Sequence, residues 1–389
     1  MNAEVGFLGE TLSLIHIPLD LYSQFVQPII RILLPPGLHD GAPTLEGRLE
    51  GLTIDEKHGF LNISVTPIEC SIACHEAWSK RFFEPIIDQL PKEAAKTVSM
   101  SKQSYLVLRV SSPGVDAGRR VVDLTSPLGL AGIPIFFITT YYSDFIIVPS
   151  RDREKVVEVL LDGGFECTQG CNSSFISLGA LSHSIGLSQE ADRPPSSPPP
   201  VNVAELRVRA FNLLKKHDVV PRIEPDLRLV QCSGKDVSHN EGYSWPTRSY
   251  NGNGNGNHRK AWVDKVDTKF YTSLIAALVS RPRFLSVTLT EDDEPSLLLD
   301  KCLVDTFGDS LIGPMEAELV PIFLDLVDLP FDATGIVAGV AGKIVEEMQM
   351  EQNAELSYLS TAKTGAVILS SEQADLALEA LSSLSPKGG

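Results

Sequence analysis

Residues 133–149 read IPIFFITTYYSDFIIVP: an apolar run, a polar break, and a second apolar run. Two β-type runs joined by a few polar residues fold back on each other, so the stretch predicts a hairpin. The pattern returns near the C-terminus as AELSYLSTAKTGAVILSS (354–371), where Leu359-Ser360-Thr361 match Ile138-Thr139-Thr140 and Ala366-Val367-Ile368-Leu369 match Phe145-Ile146-Ile147-Val148. Two fainter copies are FLNISVTPIECSIAC (60–74) and RFLSVTLTEDDEPSLLLD (283–300). A chain with four such segments is committed to paired strands wherever it folds.

The flanks repeat as well. Helical patterns precede the hairpins at 19–34, 123–132, 263–280 and 334–349, and amphipathic segments follow at 74–90, 150–164 and 371–384. Leading strands are readable as LSLIHI (12–17), YLVLRVS (105–111), DLRLVQC (226–232) and IFLDLVDL (322–329). Each unit is therefore strand, helix, strand, strand, helix, the ferredoxin-like βαββαβ order with an obscure last strand. The expectation is an α/β (α+β) chain of four tandem modules in two pairs, at 10–95, 100–167, 205–305 and 306–386. Between the pairs, residues 168–204 are rich in Ser, Gly and Pro and end RPPSSPPPVN, which reads as a disordered linker. The tract NGNGNGN within 232–260 supplies nothing to bury and reads as a surface insertion.

Composition narrows the function classes. Of 389 residues 43% are hydrophobic, enough for more than one core. Fifty acidic against 33 basic residues leave a formal charge of −17, a poor match for nucleic acid or anionic membrane surfaces. Leu124–Ser143 carries no charge over a length that would span a bilayer, but it holds two prolines and a polar cluster, so a membrane span is not expected. The opening residues lack a basic leader and are broken by His16, Pro18 and Asp20, so a cytoplasmic location is expected.

Nothing points to catalysis. The eight histidines are scattered, and no nucleotide fingerprint follows a strand. Cys70/Cys74 and Cys167/Cys171 are each four apart, but Cys70 falls in a strand-like run without chelate-loop glycines, so buried reduced thiols are expected rather than a metal site. The acidic group Glu291–Glu294 reads as a solvated turn. No catalytic residue, metal ligand or cofactor is expected.

Three stretches carry a resemblance: FLNISVTPIECSI (60–72), LTSPLGLAGIPIFFITTYYSDFIIVP (124–149) and PFDATGIVAGVAGKI (330–344). Modules of this size and order look like ACT domains. Four of them in such a chain resemble the cytosolic arginine sensor (CASTOR) family, whose ACT domains are related to those of aspartate kinases. The resemblance implies a non-enzymatic sensor that holds a free amino acid between modules two and four and modulates a protein partner in nutrient signalling, with homodimerisation left open. The alternatives are an ACT-type regulatory subunit giving feedback control of an amino-acid biosynthetic enzyme, and a scaffold that no longer binds ligand. On this chain the implied contacts fall on Asp123 and Leu124, on Pro330, Asp332, Ala333, Gly335, Ile336 and Val337, and on the hairpin positions Thr361, Ala362, Thr364 and Gly365. Helix N-termini at the first two groups offer unbonded N–H groups to an α-carboxylate, although N-capping explains Asp123 or Asp332 about as well. The family's arginine-binding members carry an aspartate where Gly365 stands and an acidic residue near Ala333, and a small hydroxyl residue where this chain has Asp123. An arginine ligand would thereby lose its carboxylate partner, and an uncharged or smaller amino acid fits at least as well.

Overall fold

In a computed structural model of the chain, residues 4–34, 58–111, 117–167, 199–235, 266–348 and 355–382 are described. Most of the linker expected at 168–204 and of the insertion expected at 232–260 lies outside them, as does Cys171. The principal strands are Glu4–Pro18 (β1), Phe60–Val65 (β2), Glu69–His75 (β3), Tyr105–Ser111 (β4), Phe136–Thr139 (β5), Asp144–Pro149 (β6), Leu229–Gly234 (β7), Leu285–Thr290 (β8), Ser296–Asp300 (β9), Leu319–Asp325 (β10), Ser357–Ser360 (β11) and Thr364–Ser370 (β12). Helices Tyr22–Leu33 (α1), Ala117–Leu130 (α2), Arg153–Asp162 (α3), Val203–Lys216 (α4), Thr268–Val279 (α5), Ile336–Glu347 (α6) and Ser371–Leu381 (α7) lie between or beside them.

The strands pair antiparallel in the order β7-β9-β8-β2-β3-β1-β4-β6-β5-β11-β12-β10, and Leu229↔Leu319 joins β10 back to β7. The result is one closed barrel of twelve strands. This overturns the expectation of four tandem ferredoxin-like modules. The strand–helix–strand–strand order does recur along the chain, but the strands do not form four sheets. Strand β8 lies against β2 from Leu285↔Val65 to Thr290↔Phe60, β4 lies against β1, and β5 meets β11 at Ile138↔Leu359. Closure follows from edge chemistry: a strand left at an edge exposes a row of unpaired N–H and C=O groups, and ring closure removes that row.

Most ring strands are buried on both faces, and this explains their near-continuous apolar runs; the first half of β1 is the more exposed part of the ring. In β6, Phe145 and Ile147 point into the barrel with Leu14, Tyr105, Phe284, Phe323 and Ile368. Ile146 and Val148 of the same strand point outward, under a helical layer that includes α2, α3, α4, α6 and α7. A second outer layer, built on α1 and α5, covers β2, β3, β8 and β9. In α1 the buried Tyr22, Phe25, Ile29, Ile32 and Leu33 recur at three- and four-residue spacing, the stripe that seats a helix on a sheet. Cys70 and Cys74 share the outer face of β3, and burial pushes both thiols up, so they stay protonated and inert.

Polar groups inside the barrel set the register. Across the β2–β8 junction, Asn62 Nδ2 donates to Thr288 Oγ1 at 3.0 Å, and Ser64 and Ser286 hydroxyls are 2.8 Å apart. The four hairpin turns share one device. Thr66, Thr140, Thr290 and Thr361 each open a turn, and each Oγ1 accepts from the N–H three residues on, at 3.1, 3.2, 3.2 and 3.1 Å. The turns then meet in pairs. Arg109 of β4 donates to Asp292 and Asp293, and Ser143 Oγ donates to Asp293 at 3.0 Å. Two members of the acidic turn expected to be solvated are therefore partners of an arginine.

One carboxyl is held against its ordinary ionisation. Glu10 accepts from the Phe60 N–H, but burial first, with Glu291 nearby, raises its pKa from 4.5 to about 7. Between those values the folded state binds the proton that the unfolded state has released, so Glu10 weakens the fold as pH rises through that window. Urea unfolding of Glu10→Gln and wild type at stepped pH is expected to show the gap moving in the variant's favour by on the order of 1–3 kcal/mol between pH 4.5 and about 7, with no further change above.

Candidate functional site

The β11–β12 hairpin, the connection from β10 to α6, and the segment entering β5 enclose a cavity of about 50 Å³. Pro330, Ala333, Ile336, Val337, Thr361, Ala362 and Thr364 of the expected residues line it, joined by Ile135, Phe136, Leu326, Leu329, Phe331, Tyr358 and Ser360. The walls are apolar, relieved by a few hydroxyls and by the start of α6. None of the lining side chains is acidic or basic.

The start of α6 is shaped by glycine. Gly335 is the N-cap, with φ +76, and a Cβ there would meet Leu206 of α4 at 2.6 Å. Left-handed backbone and close helix packing both demand the missing side chain. No side chain caps the helix, and its first intrahelical bond is Gly339 N–H to the Gly335 carbonyl at 2.8 Å. The N–H groups of Ile336 and Val337 precede that bond, at the positive end of a helix of twelve residues.

The hairpin side is fixed by Glu69 of β3. Its carboxylate is fully buried. Oε1 accepts from Thr361 Oγ1 at 2.5 Å, Lys363 N at 2.6 Å and Thr364 Oγ1 at 3.0 Å, while Oε2 lies 2.6 Å from His16 Nδ1. Ser71 Oγ accepts from Ala362 N at 2.9 Å. Lys363 ties the turn to the opposite wall: its carbonyl accepts from Leu326 N, and its Nζ reaches the Leu329 carbonyl and lies 4.6 Å from the Phe331 ring centroid. Partial burial lowers the Lys363 pKa, opposed by Glu69 and Asp328.

Tyr358 is the unexpected member. It is 1% exposed, and among the described residues its hydroxyl has no hydrogen-bond partner. Burial pushes its pKa up, so the phenol keeps its proton. A Cβ on Gly365 would meet this hydroxyl at 2.8 Å. The space that a side chain at 365 would need is thus taken by Tyr358, two residues into the neighbouring strand's end.

The remaining expected residues are not brought to the cavity. Gly335 and Gly365 shape it from behind without lining it. Asp332 is exposed on the turn before α6 and does not cap it. Asp123 and Leu124 do not mark a helix start, because α2 begins at Ala117; both lie inside it, with Leu124 in the core. Glu69, Tyr358 and Phe331 were not anticipated. An acidic residue opening a strand that continues CSIAC, and a threonine at the same place in all four polar breaks, were the available signals.

Among the described residues no helix is long and apolar enough to cross a membrane, and no group of three or more His, Cys, Asp or Glu is placed to hold a metal.

Residues 100–162 match the ACT domain family, spanning β4, α2, β5, β6 and α3. No curated protein matches the sequence. Among solved structures, an Agobacterium tumefaciens protein is 19% identical over 43% of this chain and 92% of its own, with a TM-score of 0.27. The aspartate kinase from Synechocystis is 8% identical over 98% of this chain and 55% of its own, with a TM-score of 0.30. The chain thus spans about half of that kinase. An ACT domain is present, and it suggests an amino-acid-binding regulatory role.

Two outcomes are expected from substitution at the site. Tyr358→Phe removes a buried unsatisfied hydroxyl and should raise stability in the absence of ligand by about 1 kcal/mol in urea unfolding. Glu69→Ala leaves the hairpin turn without its acceptor and should cost about 3–5 kcal/mol in the same assay.

Proposed function

We propose that this protein is a non-enzymatic amino-acid sensor that binds a free, uncharged α-amino acid in the cavity at the start of α6. The observation that carries this reading is that Tyr358, whose hydroxyl has no partner among the described residues, and the side-chain-uncapped start of α6 line the same otherwise apolar cavity. The α-carboxylate sits on the N–H groups of Ile336 and Val337, where the helix dipole favours an anion. Tyr358 supplies one further hydrogen bond, and the side chain lies against Phe136, Leu326 and Leu329. A guanidinium would find no carboxylate in this lining and would be desolvated without a partner, so arginine is disfavoured.

The size of the cavity supplies the mechanism. At about 50 Å³ it holds roughly four waters, at about 10–15 Å³ each. An amino acid enters only if the β10–α6 connection moves away from the hairpin, which breaks the Lys363 contacts to Leu329 and Phe331. Ligand therefore favours a state with this connection displaced, and a partner protein that reads the connection or Lys363 responds to amino-acid level. The ACT domain at 100–162, which supplies Ile135 and Phe136, supports this reading over the scaffold alternative.

A thermal-shift screen against the free amino acids tests it. Ligand at about 100 times its Kd adds about 2.7 kcal/mol, enough to raise Tm by several degrees. The expected result is a rise with one or more uncharged amino acids that Tyr358→Phe reduces sharply. No rise with any amino acid, or a rise with arginine alone, would overturn the assignment.

A further inference from the structure

A second cavity, of about 270 Å³, is larger than the first and lies where Thr66 and Pro67 meet Leu19, Leu227 and the 281–283 segment. Its position in the fold repeats that of the first. Leu19 follows β1 and precedes α1, as Leu326–Ala333 follow β10 and precede α6. Thr66 and Pro67 occupy the β2–β3 turn, as Thr361 and Ala362 occupy the β11–β12 turn, with the same threonine bond in both. Arg281–Arg283 join α5 to β8, as Ile135 and Phe136 lead from α2 into β5. The strands beneath also correspond, since β2 pairs with β8 as β11 pairs with β5.

The two cavities differ in charge. The first has none in its lining, whereas Glu224, Arg281 and Arg283 line the second. Arg283 is committed to Asp300, with Nη2 2.8 Å from Oδ2 and Nε at 3.0 Å. Arg281 is not so committed: its Nη2 donates to the Leu19 carbonyl at 2.9 Å, and among the described residues no carboxylate pairs with it. Its backbone is held at φ +57, a left-handed conformation that a non-glycine residue rarely adopts. Among the described residues Glu224 has only the exposed Arg222 as a charged partner, at 3.3 Å. A cation and an anion thus flank a hollow floored by Leu19, Pro67, Pro225 and Leu227, at a volume many waters larger than the first cavity.

We propose that this cavity is a second site for a free α-amino acid, bound as the zwitterion, with its carboxylate on Arg281, its ammonium on Glu224 and an apolar side chain against Leu19, Pro67 and Leu227. The assignment stands independently of the first cavity. Charge-assisted hydrogen bonds at both ends of the ligand make both charges of the amino acid necessary.

Methyl NMR of the full chain separates the two sites, because Leu19 and Leu227 report on this cavity and Leu326 and Leu329 on the other. The probes are the free apolar amino acids, each with its methyl ester and its N-acetyl derivative. At least one free amino acid should shift the Leu19 and Leu227 methyls saturably, with both derivatives weaker by about tenfold or more. Arg281→Gln and Glu224→Gln should each weaken binding by a similar factor, while Tyr358→Phe leaves it unchanged. Should Arg281→Gln fail to fold, Glu224→Gln and the two derivatives on wild type still decide. The proposal is overturned if no probe moves Leu19 and Leu227, or if the movement is indifferent to charge on either partner. Movement of Leu326 and Leu329 alone would support the first cavity and overturn the second.

Discussion

A carboxylate with no exposure must find all its hydrogen bonds inside the protein, and Glu69 finds them on a turn nearly three hundred residues away. Thr361, Lys363 and Thr364 all donate to one of its oxygens, and His16 lies against the other. This interaction pins the β2–β3 turn to the β11–β12 turn. It also holds Thr361, Ala362 and Thr364 in place as one wall of the first cavity. At the other end of the barrel Arg109 does the same work for the remaining pair of turns. The ring is thus fastened by buried or half-buried charge at both junctions, and single-residue contacts such as Leu229↔Leu319 are enough elsewhere.

Local elements were legible in the sequence, and long-range pairing was not. IPIFFITTYYSDFIIVP is a hairpin because both of its strands are buried on both faces and its break carries turn chemistry, all of it written within seventeen residues. The β2–β8 pairing has no such record. Leu285 meets Val65 across 220 positions, and only Asn62, Ser64, Ser286 and Thr288, polar residues at inward positions of otherwise apolar strands, hint that the two strands share an interior. The repeat of strand and helix order therefore suggested separate sheets where the chain builds one.

The candidate site was legible in the same uneven way. Pro330, Ala333, Ile336 and Val337 do share one cavity with Thr361, Ala362 and Thr364, because a hairpin turn and a helix start are local features. Asp123 was misplaced because only the C-terminal half of α2 has a readable pattern, and its first turn lies six residues earlier. Tyr358 was missed because nothing in YLSTAKTG shows that the phenol turns back over Gly365; that is a matter of which face of β11 packs outward. Gly365, read as an absent charge, is in the structure the gap that admits a tyrosine.

Closure of the barrel has a further consequence for recognition. Each of the twelve ring strands has a ring neighbour on both sides, and where β7 and β10 part beyond Leu229↔Leu319 the short strands Leu311–Ile312 and Arg222–Ile223 lie against them. Sheet extension, the simplest route by which β-rich proteins recruit a peptide or a second copy, is thereby left only short stretches of edge among the described residues. The larger surfaces open to a partner are side chains on the helical layers and on the connections between strand and helix. Those connections are the segments that wall both cavities.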